Sequence, residues 1–279
     1  MKKLLLILLC LPLLSLSQGP TAAFLSASVC LGDSTIFTNL SVSGSAPISQ
    51  WYWDFGDGMT STNQNPSYVY DTCDTYNVSL IVIDNNGLSD SVTSSVYVLE
   101  IPEASYTVNP DCDGEAIYYI NTSPSLSLID SVLWTLNQTG QFVNGTNAGS
   151  QDIAVIFSNP GMKFTELIVR DIYGCFSAPP FELNVEVYAN PSIINLTTDT
   201  ICDNTPTTFE FNAFNGSDPN LTYTWDYGDL QTSNISNSPH QHEYLNCNTY
   251  IVSLTIEDGN TCQDDATTNA IVRCNPVAD

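Results

Sequence analysis

In Thr75–Asp84, TYNVSLIVID, the residues Tyr76, Val78, Leu80 and Val82 fall on one face and Asn77, Ser79 and Ile81 on the other. A period of two marks a strand with one buried side. The next residues, DNNG (Asp84–Gly87), suit a hairpin turn because Asn and Gly accept positive φ. SVTSSVYVL (Ser91–Leu99) then returns as the partner strand. Upstream, Trp51, Trp53 and Phe55 alternate in WYWDFGDG before the chain bends at Gly56-Asp57-Gly58. No long stretch has a 3.6-residue period with caps, so little helix is expected.

The same pattern recurs. A shift of 172 places Trp53 on Trp225 in YTWDYGD and Cys30 on Cys202. A shift of 174 places TYNVSLIVID on TYIVSLTIED (Thr249–Asp258). A more divergent middle copy puts Cys112 at the place of Cys30, Trp134 at that of Trp53, and Pro160–Cys175 at that of Thr75–Leu88. Its Gly-Asp turn is missing. With about seven short strands per unit and turn signals every 8–12 residues, each unit reads as a β-sandwich. The expected organisation is all-β, with sandwiches at 19–101, 102–189 and 190–274. The closing NPVAD (275–279) looks like the opening of a further repeat or a linker.

Residues 1–18 read as a secretory signal peptide: Lys2 and Lys3, an apolar run from Leu4 to Leu14, then small residues at Ser15 and Ser17. The run is too short to span a bilayer, which needs about 20 residues. The chain carries a net charge of −25, and once the signal is removed only Lys163, Arg170 and Arg273 oppose thirty acids. That balance excludes nucleic acid and anionic lipid as partners. Disorder is excluded as well, because 43% hydrophobic and 10% aromatic residues suffice to build cores. Eight cysteines remain after the signal, an even number that favours disulfides in an exported chain.

Candidate chemistry is sparse. Asp54, Asp57, Asp226 and Asp229 flank tight turns, where their carboxylates suit local backbone N–H groups. A weak Ca²⁺ contact is the alternative role for these acids, although no string of six to eight oxygen ligands is present. Acid–base catalysis would need two carboxylates in a cleft, so no catalytic or cofactor residue is assigned. His240 and His242 form H-x-H on one strand face, but zinc needs further ligands; His242 aligns with Tyr68, which favours packing. The structural core is assigned to Trp53, Phe55, Trp134, Trp225 and Tyr227, a Trp between two sheets being the usual anchor of an Ig-like sandwich.

The order W-D-F-G-D-G, then NP-x-Y-x-Y (Asn65–Tyr70), then TYNVSLIVIDNNG resembles the PKD (polycystic kidney disease) domain. The third unit repeats it in WDYGD, SPHQHEY and TYIVSLTIEDGN; the middle unit keeps only fragments. The cysteine-bearing form is similar to repeats of exported Bacteroidetes-type surface proteins. The resemblance implies Ig-like sandwiches in a non-enzymatic, secreted or cell-surface protein that spaces or presents a face for adhesion to protein or polysaccharide. Its alternative is a set of accessory domains of a larger secreted hydrolase.

Closing each unit on itself predicts disulfides Cys30–Cys73 and Cys112–Cys175. In the third unit Cys247 and Cys274 lie side by side on neighbouring hairpin strands, which leaves Cys202–Cys262; Cys202–Cys247 is the alternative. In simple Ig topology Cys112 and Cys175 fall at opposite ends of the sandwich, so inter-domain bridges stay open.

Overall fold

The computed structural model describes residues 18–124, 128–136, 140–202 and 205–274. The proposed signal peptide, apart from Gln18, and the proposed start of a further repeat at 275–279 lie outside the described residues. The chain divides into two compact units, Met1–Ile101 and Pro102–Asp279.

In the first unit a five-stranded sheet runs in the order Val29–Cys30, Ser89–Leu99, Asp74–Asp84, Ile48–Asp54, Thr60–Ser61. The facing layer comprises Phe24–Leu25 paired with Thr38–Asn39, and Ser34–Ile36 paired with Ser67–Val69. The alternation of TYNVSLIVID is realised as burial: Val78, Leu80 and Val82 are fully buried, while Ile81 faces outward. They pack with Phe37, Trp53, Phe55 and Tyr70 into one core.

The second unit holds two sandwiches with separate cores. One pairs the sheet Tyr106–Val108, Ala116–Asn121, Ile153–Phe157, Gly140–Phe142 with the sheet Asp111–Cys112, Phe181–Tyr188, Gly161–Asp171, Ile129–Leu136. The other pairs Ser192–Thr198, Thr207–Phe214, His240–His242 with Thr200–Cys202, Gln263–Arg273, Asn248–Glu257, Thr222–Asp226, Thr232–Ser233. In all three sandwiches a short cysteine-bearing strand runs parallel to the last strand, as in Cys30 beside Leu99, Cys112 beside Tyr188 and Cys202 beside Arg273. No helix among the described residues is long and apolar enough to cross a membrane.

That parallel pairing corrects the expected disulfides. Cys30, paired with Leu99, lies two strand places from the strand Asp74–Asp84 that Cys73 immediately precedes, with Ser89–Leu99 between them. Two strand spacings come to roughly 9–10 Å, beyond the ~7 Å Cα separation a disulfide spans. Cys73 is accordingly a free, exposed thiol. Arg273 separates Cys202 from Cys247 in the same way, and Cys202 is free and exposed too. The Cys112–Cys175 and Cys202–Cys262 pairings fail lengthwise. Cys112 sits level with the start of the strand Gly161–Asp171, and Cys175 lies just beyond its far end. Ten residues of strand separate them by roughly 30 Å.

Cys112 instead bonds Cys262 of the following sandwich, with a Cα separation of 5.6 Å. Cys112 lies at the trailing end of its sandwich, where the chain leaves. Cys262 lies at the leading end of the next, where the chain arrives. Asn190 Nδ2 donates to the Asp113 carbonyl at 2.9 Å, and Ala189 and Ser217 exchange two hydrogen bonds, so the junction between these ends is fixed. Closing a loop of 150 residues contributes about 5 kcal/mol in the chain-entropy model. Cys247 and Cys274, which flank the paired strands Asn248–Glu257 and Gln263–Arg273, are also joined.

The core and the cysteine pattern can each be tested by substitution. Trp53→Ala removes a side chain that is 1% exposed and should destabilise the first sandwich by about 3–5 kcal/mol, read by urea denaturation. Glu100 stands where the third sandwich has Cys274, which explains why Cys73 is unpaired. Glu100→Cys should therefore consume the Cys73 thiol in a titration and raise stability by about 3 kcal/mol.

Candidate functional site

Acids and rings converge twice in the same geometry at the motif shared by the first and third sandwiches. It begins with a buried indole. Trp53 Nε1 donates to the Asn63 carbonyl at 2.9 Å and Trp225 Nε1 to that of Ile235 at 3.0 Å. Trp134 does the same to Ser150 at 2.9 Å, although its unit lacks the Gly-Asp turn. A buried Trp needs a partner for its N–H, and the loop beyond the next short strand supplies it.

The turn acids are acceptors for their own turns. Asp54 Oδ1 accepts from Gly56 N at 2.9 Å and Asp57 Oδ1 from Met59 N at 3.0 Å. Asp226 and Asp229 serve Gly228 N and Gln231 N at 2.9 and 3.0 Å. Gly56 (φ 86°) and Gly228 (φ 74°) occupy the left-handed region. A Cβ there would lie 2.8 Å from the Asn77 carbonyl oxygen and 2.4 Å from that of Ile251. Only glycine permits that approach.

The second oxygen of each later acid turns inward to a ladder of rings. Tyr68 donates to Asp57 Oδ2 at 2.7 Å, and His242 Nε2 lies 2.9 Å from Asp229 Oδ2. Tyr68 stacks on Phe55 at 4.4 Å, as His242 stacks on Tyr227 at 3.8 Å. The ladder continues through Tyr70 on Tyr76 and Tyr244 on Tyr250, stacked at 4.0 and 4.1 Å. Tyr70 and Tyr244 each donate at 3.0 Å to the backbone carbonyl of Phe55 and Tyr227. The hydrogen bond to Asp57 pushes the Tyr68 hydroxyl up to about 12, while burial is the main cause of the raised Tyr70 and Tyr244 values. These phenols stay protonated donors.

His240 and His242 part company. His242 takes the place of Tyr68 in the ladder, as the repeat alignment expects. His240 points into the core, 8% exposed, with Nε2 3.0 Å from Tyr227 Oη and its ring 4.4 Å from Trp225. Among the described residues no three His, Cys, Asp or Glu side chains are grouped to hold a metal ion.

One set of residues was missed by sequence reasoning. Asp84, Asp171 and Asp258 are buried at the start of the last hairpin turn of each sandwich. Each Oδ1 accepts two backbone N–H groups, from Asn86 and Leu88, Tyr173 and Cys175, or Asn260 and Cys262. Their recurrence at one position of the repeat was the available signal.

Paired, largely antiparallel sheets around a buried Trp, closed in the first and third sandwiches by a tyrosine bonded back to the turn, define an Ig-like β-sandwich module. A family model of the PKD domain matches residues 17–99 and 188–272. The chain belongs to the PKD domain family. Collagenase ColA of Bacillus cereus is 32% identical over 157 residues, 50% of this chain and 15% of that protein. The pre-pro-metalloprotease PrtV of Vibrio cholerae is 28% identical over 146 residues, 51% of this chain and 15% of that protein. The chain thus spans less than a fifth of the length of these relatives. A crystal structure of the PKD1 domain of PrtV is 33% identical and aligns over 98% of its own length and 29% of this chain, with a TM-score of 0.28.

Burial holds the His240 pKa below its ordinary value of 6.5. The folded state therefore binds fewer protons than the unfolded state, and stability falls as pH drops below 6.5. The melting temperature of the third sandwich should be lower at pH 5.5 than at pH 7.5. His240→Phe should flatten that difference in a pH series of thermal melts.

Proposed function

We propose that this chain is a non-catalytic extracellular spacer whose sandwiches hold a binding face toward protein or polysaccharide. The observation that carries the reading is the Cys112–Cys262 bond, which ties the middle and third sandwiches covalently and removes hinge freedom between them. The motif supports the same reading, since its acids and rings are engaged with one another and with backbone groups. The outer sheet face of the first sandwich offers contact surface: Tyr52 is 46% exposed, with Ile81 opposite it in register. An exposed tyrosine ring stacks on sugar or aromatic partners. The leader-like first residues and the acidic composition support work outside the cell.

A second reading makes the chain an accessory portion of a secreted protease. It is favoured by the collagenase and metalloprotease relatives, which share this region within far longer proteins.

Co-sedimentation of the full chain with insoluble polysaccharide and with collagen fibrils separates the two. Saturable binding to polysaccharide, weakened several-fold by Tyr52→Ala, is the expected result for the spacer reading. Collagen binding alone favours the accessory reading. Hydrolysis of gelatin, casein or chromogenic glycosides by the purified chain overturns both.

A further inference from the structure

The three parallel-strand cysteines occupy one site in the repeat. Each lies at the trailing end of its sandwich, beside the end of the last strand. Only Cys202 of the three is a free, exposed thiol. In its sister position Cys112 is bonded to Cys262, in the leading-end turn of the sandwich after it. That turn has a constant architecture. The buried Asp accepts from the amide of the residue that carries the crosslink, Cys262 at 3.0 Å, and that residue's carbonyl accepts from the Asp amide at 2.9 Å. The same two bonds hold Cys175 to Asp171 and Leu88 to Asp84. Cysteine at this position is thus a side chain presented on a prebuilt loop.

We propose that Cys202 is the unmade half of a further inter-sandwich crosslink, whose partner is the leading-end turn cysteine of another sandwich of this repeat. This deepens the spacer reading, on which it rests, by naming the partner. The chain's own turns cannot supply that thiol: the first sandwich has Leu88 there, Cys175 is already disulfide-bonded, and Cys262 is taken by Cys112. Cys202 and Cys262 also lie at opposite ends of one sandwich.

Bond formation requires a disulfide as oxidant, for which a low-molecular-weight disulfide such as oxidised glutathione serves. The Cys202 thiolate attacks one glutathione sulfur, giving a mixed disulfide and one glutathione thiolate. The partner's turn thiolate then attacks Cys202 Sγ and displaces the second glutathione. Two protein thiols become one disulfide, and one oxidised glutathione becomes two reduced molecules.

The test uses the chain without the predicted leader, which carries Cys10, and in Cys73→Ser form, so that Cys202 is the free thiol among the described residues. Leu88→Cys installs the residue that both sister turns already carry, at a position 37% exposed. With oxidised glutathione, this double variant should form a head-to-tail ladder on a non-reducing gel. Peptide mapping should place the links between positions 202 and 88, at least about tenfold above links between identical positions, because docked ends raise the local thiol concentration. Adding Cys202→Ser should abolish the ladder. The Cys73→Ser chain without Leu88→Cys should stay monomeric, with Cys202 as the glutathione mixed disulfide.

Dimers joined 202 to 202 in that last sample overturn the proposal even if Leu88→Cys disturbs the first sandwich. So do links joining 88 to 88 in place of 202 to 88. Failure of polysaccharide binding would leave these outcomes unchanged, so the crosslink and the binding face are judged separately.

Discussion

Each sandwich depends on one indole held between its sheets. A tryptophan packed between the sheets has apolar area enough to anchor the core, but its N–H must find an acceptor away from water. Trp53, Trp134 and Trp225 all find it in a backbone carbonyl of the loop beyond the next short strand, Thr60–Ser61, Gly140–Phe142 or Thr232–Ser233. That requirement fixes the path of the loop, and the loop in turn sets where the next strand begins. The middle sandwich shows that the indole is the deeper constraint, since it keeps this bond without the Gly-Asp turn.

Built on the indole, the Gly-Asp turn is a device for aiming side chains. One carboxylate oxygen of Asp57 or Asp229 holds the bend, and the other holds the ring stacked beside it. The ring is tyrosine in one sandwich and histidine in the other, which shows what the position demands: a flat side chain with a donor at its edge. Where the middle sandwich departs, Lys163 takes the place of Tyr76 and Tyr250. It is buried, with Nζ 5.6 Å from the Phe157 ring centroid, so a cation over an aromatic face replaces the stacked pair.

The cysteines obey a different logic from the cores. A core closes within one sandwich because its residues come from strands of that sandwich. Cys112 cannot close within its own sandwich, because the strand that positions it runs parallel to the last strand and leaves it at the trailing end. The cysteine within its reach is then on the next sandwich. Direction enters the chain this way: one end of the module presents a thiol on a strand, and the other presents one on an Asp-held turn.

The alternation in TYNVSLIVID, the buried Trp, the turn acids and the substitution of Tyr68 by His242 were all legible in the sequence. Each is a local matter of period two, turn chemistry or repeat position, and local rules act between residues a few places apart. The burial of His240 was not legible, because H-x-H on one face does not say how deep each ring lies. Nor was the pairing of Cys112 with Cys262. Strand order inserts Leu99 or Arg273 between cysteines that look adjacent in the repeat, and strand length carries others roughly 30 Å apart. The Cys247–Cys274 bond was legible because one hairpin brings the two together. The separations that rule out the other expected pairs exist only once the sheets are assembled, so for Cys112 and Cys262 the tertiary structure decided which sulfurs meet.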